Sequence, residues 1–163
     1  MSNISSDRLL DVAADIDAEL ARLTRLVADA DLVRQELESG REHAQWLHES
    51  LAFKLHNFYT SCERIFQIIA TELNGGLPTG NDWHSRLLDR MNQRRNYRIA
   101  VVSGETAKRL QPYLGFRHVV RNIYGFELDA DRLLRLVTDL PATHTAFQRD
   151  ASEFVGWLRE LAA

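Results

Sequence analysis

The sequence predicts an all-α protein, an antiparallel helical bundle of about five to six helices with two long N-terminal helices. Three observations predict it. Helix breakers are scarce, with 3 Pro and 8 Gly in 163 residues. Two apolar seams run through the N-terminal half in alternating steps of four and three. No stretch shows the two-residue alternation of a half-buried strand.

The first seam is Leu9, Ala13, Ile16, Leu20, Leu23, Val27 and Ala30. It predicts a helix over 6–38 packed nearly antiparallel to a neighbour, with Ser6 as N-cap and Ser39-Gly40 as its end. The second is Leu47, Leu51, Leu55, Phe58, Cys62, Ile65 and Ile69, predicting a helix over 42–73. Asn74-Gly75-Gly76-Leu77-Pro78 breaks it. A shorter helix, about 82–93 by the same spacing argument, carries Trp83, Leu87, Leu88 and Met91. Residues 94–102, RRNYRIAVV, lack helical periodicity and read as a basic connector. Ser103 reads as the N-cap of a helix reaching to about Tyr124. Asp129 or Asp131 starts another, Pro141 marks its end, and a last helix follows over 142–161. With no linker and no internal repeat, 1–163 reads as a single domain.

Composition excludes some classes. The single cysteine, Cys62, rules out an internal disulfide and a zinc–cysteine cluster. No basic-then-apolar leader is visible, and no apolar run approaches the roughly 20 residues of a membrane span. The expectation is a cytoplasmic protein with no membrane contact, no metal and no cofactor. Net charge is −3, but unevenly spread. From His84 to Arg121 stand Arg86, Arg90, Arg94, Arg95, Arg98, Lys108, Arg109, Arg117 and Arg121 against only Asp89 and Glu105. A basic segment in an acidic chain points to an anionic ligand such as RNA; the competing reading is a solvated face paired with acidic neighbours.

Within it lies RHVVRNIY, residues 117–124. Phe116, Val120 and Ile123, widened by Val119, form the stripe that faces the core. Arg117, Arg121 and Tyr124 share a face about 100° further round, at the edge of the core or on an interface, and Tyr113 extends it back one turn. His118 and Asn122 form the next stripe. Guanidinium forks grip phosphate oxygens, and an imidazole moves protons near neutral pH. His56, Asn57 and Tyr59 are further candidates for the same cleft, weighed against plain helix-contact packing. His84 beside Trp83 reads as a helix-start packing element. His43 and His48 are badly spaced for a metal, and His144 is isolated. Glu63 with Arg64 is placed to brace the motif arginines.

This motif resembles that of HEPN domains in the HepT-like toxin branch, in which an arginine is followed after four residues by histidine and, one residue on, by tyrosine. Residues 55–91, LHNFYTSCERIFQIIATELNGGLPTGNDWHSRLLDRM, are similar to the second helix and connector of that branch. Residues 115–133, GFRHVVRNIYGFELDADRL, are similar to its motif helix and the turn beyond. The resemblance implies a helical homodimer with the two motif helices side by side. It implies a metal-independent ribonuclease toxin, partnered by a minimal nucleotidyltransferase antitoxin that transfers AMP to the motif tyrosine. Carried over, Arg117 would hold the scissile phosphate and Tyr124 would take the AMP. The family histidine position is Asn122, and an amide cannot serve as general base. Three readings stay open: a catalytically silent member that binds RNA or the partner, a member that uses His118 with Arg117 and Arg121 instead, or a variant inactivated at this position.

Overall fold

The computed structural model describes residues 4–40, 44–122 and 129–163, with only the backbone at 121 and 122. The described residues form five helices: α1 Ser6–Glu38, α2 Ala44–Leu73, α3 Trp83–Met91, α4 Gly104–Asn122 and α5 Ala130–Ala162. There is no strand among the described residues, only an isolated bridge between Arg95 and Arg98.

α1 follows its predicted seam. Leu9, Ala13, Ile16, Leu20, Leu23, Val27 and Ala30 are all buried. Its N-cap is Ser5 rather than Ser6, because the Ser5 hydroxyl accepts the Arg8 N–H at 3.2 Å. Gly40 closes the helix at φ 70°, a left-handed conformation that glycine adopts without strain. In α2 the seam from Leu51 to Ile69 is buried as expected, while Leu47 is only half-buried. The break after Leu73 passes through Gly75 and Gly76 at φ 75° and 123°.

Cross-helix pairs fix the directions. Arg8 near the start of α1 pairs with Glu72 at the end of α2, so these helices run antiparallel. Asp17 meets Arg159, and Thr24 lies beside His144, so α5 descends antiparallel along the other side of α1. Among the described residues α4 packs on α2 and α5, and α3 packs on α2 and α4. One contiguous core draws side chains from all five helices.

The last two expected helices are one. α5 runs unbroken through Pro141, with Leu136, Val137, Leu140, Thr143, Phe147, Phe154 and Leu158 buried along it. Proline inside a helix removes one hydrogen bond and costs about 3 kcal/mol. Burial of about 1.5–3 kcal/mol per large apolar side chain on both sides of it outweighs that cost. Asp129, not Asp131, is the N-cap, accepting the Arg132 N–H at 3.1 Å. Leu161, near the end of α5, is 53% exposed.

The connector before α4 is ordered by its own arginine. Arg98 is buried and donates to the carbonyls of Arg90, Gln93 and Ile99 and to Asn74 Oδ1. Burial pushes its guanidinium below the usual arginine range, and the neighbouring Arg95 adds to this. Ser103 caps α4 as predicted: its hydroxyl accepts the Thr106 N–H at 3.2 Å, and its own N–H donates to Asp150 Oδ2 at 2.8 Å.

Candidate functional site

The site is built on a carboxylate placed where the α2 seam demands apolar residues. Glu63 follows buried Cys62 and lies one turn after buried Tyr59, so its side chain enters the protein interior. A lone carboxylate there would cost several kcal/mol. Two residues from other helices partner it. His84, in the first turn of α3, has Nδ1 2.6 Å from Glu63 Oε2. Arg117, on α4, has Nη2 3.5 Å from Glu63 Oε1. Arg117 Nη1 lies 3.1 Å from His84 Nε2 and 3.3 Å from its Nδ1. The three side chains are at most 10% exposed.

Aromatic rings enclose the cluster. Trp83 lies against His84 with ring centroids 3.7 Å apart, and His118 meets it edge-on at 5.8 Å. His118 itself is exposed. Tyr59 is fully buried, and its hydroxyl has no hydrogen-bond partner among the described residues. Burial drives its phenol far above the usual range, and the Glu63 charge adds to this. Cys62 is likewise raised well above the ordinary thiol range by burial, so it is an inert packing residue. Arg117 Nε is buried without an acceptor among the described residues.

The predicted site residues divide. Arg117 is more buried than a residue at the edge of the core, and Tyr113 on the same face is a core residue whose hydroxyl donates to the Leu136 carbonyl at 2.8 Å. Phe116 faces the core as expected, Val120 is partly buried against it, and Val119 points outward at 38% exposure. The stripe is therefore narrower than predicted. His118 sits beside the cluster. The side chains of Arg121 and Asn122, with Ile123 and Tyr124, lie outside the described residues, as does His43. Glu63 braces Arg117, but Arg64 is exposed and plays no part in the bracing.

The structure corrects the reading of His84, which is a member of the cluster and not only a packing element. Its partners are 21 and 33 residues away in sequence, so no spacing could reveal it. The one available signal was an acidic residue next to a buried seam, which requires a partner.

The basic segment likewise does not form one continuous surface. Arg98 is an internal staple, Arg109 pairs with Glu105 and Asp139, and Arg86 donates to the Thr79 carbonyl. Arg94 and Arg95 are exposed. Among the described residues no group of His, Cys, Asp and Glu is arranged to hold a metal ion. No described helix is long and apolar enough to cross a membrane.

No curated protein and no solved structure matches the chain. The HepT-like protein family does, over residues 50–158, a span that takes in Glu63, His84, Arg117 and the whole motif. With a helical bundle around a buried motif arginine and a family match over most of its length, the chain belongs to the HepT-like family of the HEPN superfamily.

Proposed function

We propose that this protein is the toxin of a HEPN/nucleotidyltransferase toxin–antitoxin pair. In this reading residues 1–163 act as one cytoplasmic domain, a metal-independent RNA endonuclease neutralised by AMP transfer to Tyr124. The observation that carries it is Arg117: a motif arginine held by a buried carboxylate and an imidazole, with one donor, Nε, left without an acceptor among the described residues. A guanidinium fixed in this way stabilises the charge that develops on a phosphate during in-line displacement. The reading includes a homodimer. Trp46 and Phe53, two turns apart on one face of α2, are 66% and 62% exposed and supply apolar surface for a second copy to cover.

A second reading is a silent HEPN-fold module that binds RNA or the nucleotidyltransferase without cutting. Asn122 at the family histidine position favours it.

Growth arrest and RNA cleavage by Arg117→Lys test the first reading. Lysine keeps the charge beside Glu63 but lacks the guanidinium fork. Cleavage should fall at least tenfold, a loss of about 1.4 kcal/mol of transition-state stabilisation. A folded Arg117→Lys protein as active as the wild type would remove Arg117 from the site.

A further inference from the structure

We propose that His84 and His118 are the base and the acid of the cleavage reaction, His84 being held for the task by Glu63. The inference rests on the ribonuclease reading and supplies the imidazole chemistry that Asn122 cannot.

The hydrogen bonds fix the His84 tautomer. With the Glu63 carboxylate as acceptor, His84 Nδ1–H donates to its Oε2 at 2.6 Å. The lone pair therefore lies on Nε2, and Arg117 Nη1 rests against the ring, 3.1 Å from Nε2 and 3.3 Å from Nδ1. Glu63 then stabilises the imidazolium that forms when Nε2 takes a proton, the role of the carboxylate in acid–histidine pairs generally. His118 on α4 meets the His84 ring, and Tyr59 on α2 and Asp89 on α3 belong to the same electrostatic neighbourhood through Glu63 and Arg117.

In the free protein Arg117 covers the basic nitrogen. A phosphate is a stronger acceptor for a guanidinium than a neutral imidazole. An incoming phosphodiester would draw the fork to itself and satisfy the orphaned Nε. It would also uncover His84 Nε2 beside the ribose. The exposed His118 ring stands edge-on to His84 on the solvent side, where a leaving group departs.

The step balances without a metal. The 2′-hydroxyl proton passes to His84 Nε2 as the 2′-oxygen bonds to phosphorus. The phosphorus–O5′ bond breaks, and O5′ takes its proton from the His118 imidazolium. The products are a 2′,3′-cyclic phosphate and a free 5′-hydroxyl.

The test uses the full chain and a random-sequence single-stranded RNA pool, with the 2′-deoxy pool to measure binding. Wild type should show a bell-shaped pH–rate profile. His118→Asn, at an exposed position that the fold tolerates, should slow cleavage about 10²–10⁴-fold and lose the alkaline limb. His84→Ala should slow it comparably, lose the acidic limb and regain rate with added imidazole. Affinity for the 2′-deoxy pool should change less than about threefold in both. If wild type cleaves and Arg117→Lys does not, yet both histidine variants keep the full bell, this assignment is wrong and the ribonuclease reading stands. If wild type leaves the pool intact, the ribonuclease reading itself fails, and the assignment with it.

Discussion

Glu63 Oε2 lies 2.6 Å from His84 Nδ1, inside the protein, on helices whose contacting residues are 21 positions apart. That bond joins a residue beside the apolar α2 seam to the short helix α3 and, through Arg117, to the motif helix α4. It makes the motif arginine part of the folded core. Stability and function are therefore coupled at this point.

Glu63→Leu should show the coupling directly. It leaves the Arg117 charge buried without its carboxylate, which costs about 3–5 kcal/mol. Urea unfolding should register a loss of that order. A loss below about 1 kcal/mol, the level of an exposed pair, would mean that the pair is not buried in solution.

Asn122→His restores the family pattern. If His84 and His118 carry the proton transfers, the substitution changes cleavage by less than about tenfold, because a third imidazole duplicates work already done. A gain of about a hundredfold or more would mark this chain as a scaffold silenced at position 122. Growth arrest and RNA cleavage of the two proteins side by side decide it.

Tyr124 is the expected acceptor of AMP. Incubation with ATP and a minimal nucleotidyltransferase should raise the intact mass by one or more AMP units, and peptide mapping should place them on Tyr124. Adduct on any other residue rejects the assignment.

Asp150 should contribute to acid sensitivity. Burial acts to raise its carboxyl, but hydrogen bonds from Thr106, the Ser103 backbone, Arg149 and the Ser103 hydroxyl outweigh this and hold it below the usual range. A depressed folded pKa means stability that is present above the unfolded value, about 3.9, and lost as pH falls through the folded value. Asp150→Asn should cost about 1.5–3 kcal/mol at pH 7. The gap from wild type should begin to narrow below about pH 4 and close only once pH has fallen through the depressed folded value, where both carry a neutral side chain. Thermal melts from pH 7 to pH 2 measure it.

Pro141→Ala should stabilise the protein by about 1 kcal/mol or more, because alanine restores the hydrogen bond that proline denies a continuous helix. A lower melting temperature would indicate that α5 needs its proline.

The α1 and α2 seams were legible because helical periodicity is local: a four–three spacing can only bury one face. Ser103 and Asp129 as caps were legible for the same reason. The family motif was equally local, since Arg117, Asn122 and Tyr124 fall within eight consecutive residues. Pro141 misled, because the local penalty of a proline was weighed there without the burial on either side of it.

The sequence by itself determined the helical class, the packing seams and the motif with Arg117 at its head. Only the tertiary structure decided which groups surround that arginine. Glu63 and His84 reach it from two other helices, and a charged residue enters a core only where distant partners meet its desolvation cost. Such partners are set by how the helices pack against one another, and spacing along the chain carries no record of them.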